Sequence, residues 1–166
     1  MRKQRRNSYR LVGHNYADSS HAYFITLQTK IKEVKPGSLI MASAPFTSCP
    51  ALGQSVDDTI HFYRAQGQLL VFAYVVMPDH VHLLVAPQQG HNLSTVLGSL
   101  ESYTARISWQ YGVVGELWQR SFHDHILRRS VDAGMVAAYI LNNPVRAGLV
   151  DDWHNWPWCG MPDPWC

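Results

Sequence analysis

The sequence predicts an α+β domain, an antiparallel sheet backed by helices, and three observations predict it. Segments that alternate apolar and polar residues are interleaved with longer ones whose apolar residues recur at helical spacing. The densest strand signal, Leu69 to Val76, is followed after only a Pro-Asp break by a second, Val81 to Val85, as in two adjacent antiparallel strands. Of the 166 residues 46% are apolar and only 16% charged, the balance of a chain that folds around a core.

The elements follow in order. His21 to Thr29 reads as the first strand, with Tyr23, Ile25 and Leu27 on one face and Phe24 and Thr26 on the other. Lys35 to Gly53, with Pro36, Pro45 and Pro50, is expected to be a long surface loop. Val56 to Ala65 is expected to be a helix, with Asp57 and Asp58 in its first turn, where negative charge suits the dipole. The two dense strands come next. Leu93 to Tyr111 forms a second helix, with Leu93, Val96, Leu97, Leu100 and Ile107 near helical spacing and Gly112 and Gly115 closing it. Phe122 to Leu127 is the last strand. Val131 to Asn142 is a third helix, which Pro144 is expected to stop. The tail with Trp153, Trp156, Pro157 and Trp158 is expected to be irregular. This order is that of a ferredoxin-like split βαβ sandwich with an added C-terminal helix. One domain spans 1–166, with a basic arm at 1–10 and a Trp/Pro-rich tail at 153–166.

Composition narrows the function. No apolar run reaches membrane-span length, so no membrane partner is expected. No apolar signal core follows the basic N-terminus, so a cytoplasmic protein is expected. Cys49, Cys159 and Cys166 form no C-x-x-C pair, against a disulfide frame or a zinc ribbon. Net charge is only +2, but five of the 14 Lys/Arg residues (Arg2, Lys3, Arg5, Arg6 and Arg10) crowd into the first ten positions. Such an arm suits phosphate contacts, the sequence-independent part of nucleic-acid affinity.

His80 and His82 carry the strongest chemical signal. Residues two apart in a strand share a face, so these imidazoles point one way while Val81, Leu83 and Val85 point into the core. Two imidazoles on one face can converge on a divalent ion, manganese or, with oxygen ligands, magnesium. The same spacing also describes two surface histidines. Tyr139 and Asn143 lie four apart on one helical face, where a phenol and a carboxamide can meet a metal and a phosphate together. That spacing equally describes a core tyrosine and an asparagine ending a helix. His123 and His125 alternate on one face of the last strand. They are read as extending the metal site, orienting a phosphate or walling the site, and not as ligands.

Together these segments resemble a known family. Val75-Val76-Met77-Pro78-Asp79-His80-Val81-His82-Leu83-Leu84-Val85 resembles the signature of the His-hydrophobic-His single-tyrosine transposases. The segment from Trp118 to Arg128 resembles the one before their tyrosine helix, and Tyr139 to Val150 resembles that helix and its exit. Tyr9-Arg10-Leu11 and Tyr23 to Leu27 also fit, so the likeness runs from about residue 9 to 158, nearest to the REP-associated tyrosine transposases. Glu101 stands where the family usually has a lysine. The resemblance implies His80 and His82 as metal ligands, Asn143 as a further polar ligand and Tyr139 as nucleophile. The implied cofactor is Mg or Mn, and the implied partner is single-stranded or hairpin DNA, bound by a monomer or homodimer. A tyrosine hydroxyl, with a reference pKa of about 10, needs help to attack at neutral pH. A metal that polarises the scissile phosphate would supply it, giving a 5′-phosphotyrosine and a free 3′-hydroxyl. No Walker-type loop is present, and a phosphotyrosine keeps the bond energy needed for rejoining. The basic arm, Arg106, Arg120, Arg128 and Arg129 are the DNA contacts expected from charge.

A non-catalytic single-stranded nucleic-acid-binding module of the same fold is the main rival, but the glycine-aromatic motif of such modules is absent. A metal-free phosphoesterase would carry paired His-x-Thr or His-x-Ser motifs, and none accompanies His80-Val81-His82. A decayed transposase would not be expected to keep the full set of chemical residues.

Overall fold

Strands rich in β-branched and aromatic residues build the frame. The computed structural model describes residues 13–127 and 133–165. In chain order it contains β1 (Ala22–Gln28), β2 (Glu33–Val34), α1 (Pro45–Ser48), α2 (Pro50–Ala65), β3 (Leu69–Val76) and β4 (His80–Pro87). Then come α3 (Leu93–Gln110), β5 (Val113–Val114), β6 (His123–Leu127), α4 (Ala133–Leu141), α5 (Asn143–Arg146), a 3₁₀ turn (Trp153–Asn155) and β7 (Cys159–Gly160). The main sheet runs β6-β1-β4-β3-β7, every neighbouring pair antiparallel, and β2 and β5 form a separate ribbon. The ferredoxin-like arrangement expected from the element order is present, with β4 in the centre and β7 added at one edge.

Alternation divides the sheet into two faces. Tyr23, Ile25, Leu27, Val81, Leu83 and Val85 are fully buried under α2 and α3, where Leu52, Val56, Ile60, Leu93, Val96, Leu97 and Leu100 meet them. Each such aliphatic side chain contributes roughly 1.5–3 kcal/mol on burial. The second face carries a smaller cluster, Ala73, Val75, Met77 and Leu84, covered by Ala133 and Ile140 of α4. This helix packs over β3 and β4, and among the described residues His123 and His125 of β6 stay exposed on that face.

Three local readings change. The segment expected as a loop from Lys35 to Gly53 contains α1 and the start of α2. Pro45 and Pro50 open these helices, because the first turn needs no N–H from them. Asp57 is therefore not in a first turn. It sits mid-helix and accepts a 2.7 Å hydrogen bond from the Tyr74 hydroxyl. The third helix ends as expected, α4 stopping at Leu141 just before Pro144, but Pro144 also opens a new helix. It lies in the first turn of α5, and the i to i−4 pattern resumes with Arg146 N–H to Asn142 (2.9 Å) and Ala147 N–H to Asn143 (3.0 Å). The tail is ordered: Cys159 pairs with Val75 in the β3–β7 register, and the Val76 N–H donates to the Trp158 carbonyl at 2.8 Å.

Candidate active site

The β3–β4 turn delivers His80 and His82. Met77 N–H donates to the His80 carbonyl at 2.8 Å, closing the turn over Pro78 and Asp79. The Asp79 carbonyl accepts from the Thr29 backbone N–H (3.0 Å), the Thr29 hydroxyl (2.8 Å) and the Gln28 amide (3.0 Å). The turn is thus tied to the end of β1, and the Asp79 carboxylate is left beside His80.

That carboxylate orients the ring: His80 Nδ1 lies 2.8 Å from Asp79 Oδ1. A carboxylate only accepts, so Nδ1 carries the proton and Nε2 faces away from the pair. His82 Nδ1 lies 2.9 Å from the Thr26 hydroxyl. His82 is 8% exposed. Burial, and then the charges of His80 and Arg146, push its pKa from 6.5 down to about 4, so it is neutral at pH 7. The two ring centroids are 4.6 Å apart.

Tyr139 reaches the same place from α4. Its ring centroid lies 5.9 Å from that of His82 and 6.0 Å, edge-on, from that of Phe24, and the residue is 42% exposed. Phe24 packs 5.3 Å from His82, so one aromatic floor supports both groups. Asn143 opens α5 one turn beyond Tyr139, and its amide nitrogen is buried without a hydrogen-bond partner. Such an orphan donor is uncommon, and as an N–H group it suits an acceptor such as a phosphate oxygen and not a cation. Among the described residues no group of three or more His, Cys, Asp or Glu side chains is arranged to hold a metal ion. The donors that the structure brings together are therefore two imidazoles with Nδ1 engaged. Engaged Nδ1 atoms orient metal-binding imidazoles, and imidazole suits manganese, or magnesium with added oxygen ligands. The chemistry of the two imidazoles fits such an ion, with its further ligands to come from elsewhere.

The remaining expected contacts are dispersed. Arg120 is exposed, 3.5 Å from Glu116. The adjoining Gln119 N–H donates to Gln28, which places this segment at the His80 end of the sheet. Arg106 is exposed on α3, in the layer behind the sheet, and is not brought to the histidines. Arg2, Lys3, Arg5, Arg6, Arg10, Arg128 and Arg129 lie outside the described residues. His123 and His125 are exposed on the same face as His82: His123 and His82 both pair with Thr26, and His125 pairs with Phe24.

Arg146 was not expected. Its guanidinium carbon sits 4.5 Å from the Tyr139 ring centroid, over the ring. It follows Tyr139 by seven residues, two helical turns, so continuing the helical spacing past Pro144 would have singled it out.

The site is thus a histidine pair on a central strand, faced by a tyrosine on a covering helix. The chain belongs to the IS200-like transposase family, whose model matches residues 50–143. An uncharacterized protein of Haemophilus influenzae is 26% identical over 84% of this chain and 88% of its own length. A second Haemophilus influenzae protein, named as a candidate REP-associated tyrosine transposase, is 30% identical over 52% of this chain, which spans about half (55%) of that relative. The solved structure of a REP-associated tyrosine transposase bound to a REP hairpin shares the fold. Its TM-score is 0.67 at 20% identity, over 90% of this chain and 82% of that one.

Proposed function

We propose that this chain cuts and rejoins single-stranded DNA beside a hairpin through a 5′-phosphotyrosine. The observation that carries the reading is the meeting of Tyr139 with the His82–His80 pair on one sheet face. The structure related by fold was solved with a hairpin bound, which supports hairpin DNA as the partner here.

The Tyr139 hydroxyl oxygen attacks the phosphorus. A bond from that oxygen to phosphorus forms, and the bond from phosphorus to the 3′-oxygen breaks. The phenol proton leaves to solvent, and the departing 3′-oxygen takes up a proton. The number of phosphoester bonds is unchanged, so the reverse step rejoins a strand without a nucleotide cofactor. A divalent ion, Mg or Mn, held by His80 and His82 would neutralise charge on the phosphate oxygens. Asp79 and Thr26 keep the two imidazoles in register for it, and Phe24 keeps the Tyr139 ring upright beside them.

The test is covalent capture. A hairpin library with randomised single-stranded flanks is incubated with the protein and manganese, and denaturant-resistant adducts are recovered. Wild type is expected to form adducts, and Tyr139→Phe none while still retaining the hairpin. An adduct formed by Tyr139→Phe removes Tyr139 as nucleophile. Retention of hairpins with no adduct from wild type leaves a binding module.

A further inference from the structure

We propose that Arg146 both holds the Tyr139 ring in its attacking orientation and grips the phosphate that Tyr139 attacks, as a substrate-contacting residue of the reaction proposed above, on which this role rests. The geometry assigns it. The guanidinium lies over the ring face, 4.5 Å from the centroid. That is the preferred approach of a cation to an aromatic quadrupole, and it leaves the ring edge with the hydroxyl uncovered. The side chain is exposed, and among the described residues no carboxylate pairs with it. Its planar fork of N–H donors is thus uncommitted, and that fork matches a phosphate bidentately.

The backbone gives the placement its precision. Asn142 alone separates α4 from α5, in helical conformation at φ −82° and ψ 0°. Pro144 supplies no N–H for the Ile140 carbonyl, so the ladder is interrupted there and resumes at Arg146. Gly148 then ends the run at φ +72°, with Leu149 N–H returning to the Pro144 carbonyl at 2.9 Å. Arg146 is therefore held in the last turn of a short, closed helix, next to the nucleophile. Its charge also reaches His82, where it adds to the effect of burial. A surface arginine with no function would be expected to extend into solvent or toward an acid. This one lies over the ring of a candidate nucleophile.

The test uses the full chain and the hairpin recovered by covalent capture on wild type. Single-turnover adduct formation by Arg146→Ala is expected to fall about 100- to 1,000-fold, the loss typical of one donor to a developing oxyanion. Hairpin affinity, measured in a Tyr139→Phe background, should change by no more than about threefold, because affinity for nucleic acid is spread over many phosphate contacts, of which Arg146 would make one. Arg146→Lys keeps the cation but not the fork and should recover only part of the rate. Added guanidinium should partly rescue Arg146→Ala and leave Tyr139→Phe inactive. Adduct formation by Arg146→Ala at the wild-type rate overturns the phosphate role while leaving the Tyr139 reading intact. The ring-holding role is read without DNA: Arg146→Ala should shift the Tyr139 ring resonances in tyrosine-labelled protein and speed ring flipping. Unchanged resonances overturn it. Failure of wild type to form any adduct sinks the reaction itself and the phosphate role with it, and the ring resonances still decide the rest.

Discussion

Replacing Gly53 with alanine should destabilise the protein, although it places a better helix former in a helix. Propensity alone favours the change by up to about 1 kcal/mol. Gly53 is the fourth residue of α2, and a Cβ built there would lie 2.5 and 2.7 Å from two ring carbons of Trp158 and 2.8 Å from the Phe46 carbonyl oxygen. None of these neighbours retreats easily. The Trp158 indole N–H donates to Gln54 at 3.2 Å, its carbonyl receives Val76 N–H, and the side chain is 5% exposed. Phe46 is fully buried, and its oxygen is backbone. Overpacking of this kind costs roughly 1–3 kcal/mol, and three contacts this short put it at the upper end. The net loss is then about 2 kcal/mol, or about 4–8 °C in Tm for a domain of this size. Urea and thermal unfolding of Gly53→Ala, Trp158→Ala and the double variant measure it. In the double variant the cost of Gly53→Ala should shrink by about 1 kcal/mol or more, because the indole contacts are gone. A Gly53→Ala protein more stable than wild type, or strict additivity in the double variant, refutes the argument.

Two further outcomes follow from the site. The metal-free protein should lose about 3 kcal/mol of stability from His82 as pH falls from 6.5 to about 4. The imidazole protonates near 6.5 when unfolded but only near 4 when buried, so its contribution is complete above 6.5 and lost on acidification. Urea midpoints in chelator at pH 7 and 4.5 should show this loss in wild type and not in His82→Gln, and equal pH dependence of the two proteins would disprove it. Asp79→Asn should weaken manganese binding roughly 10- to 100-fold by calorimetric titration, because Asp79 sets the His80 ring. Unaltered affinity would mean that His80 is not a ligand held in this way.

Much of the fold is legible in the sequence because period-two and helical patterns are local. They place β1, β3, β4, α3 and β6 within a residue or two, and they put His80 and His82 on one face. Proline misleads at two places, and at a third, Pro144, it ends a helix as expected but also opens another. Pro45, Pro50 and Pro144 each lack an N–H, which ends a helix from within but costs nothing in its first turn. Which role applies depends on what the flanking residues pack against.

What the sequence by itself determined is the strand and helix inventory, the shared face of the histidine pair and, through family resemblance, Tyr139 as their counterpart. What only the tertiary structure decided is proximity. The packing of α4 over β3 and β4 brings Tyr139 to His82, and the resumed helix beyond Pro144 lays Arg146 on the Tyr139 ring. The pairing of β6 with β1 aligns His123 with His82 across Thr26. Side-chain periodicity encodes which way a residue faces along its own element. Distance between elements is set by the burial of their apolar faces against one another, and no local pattern carries it.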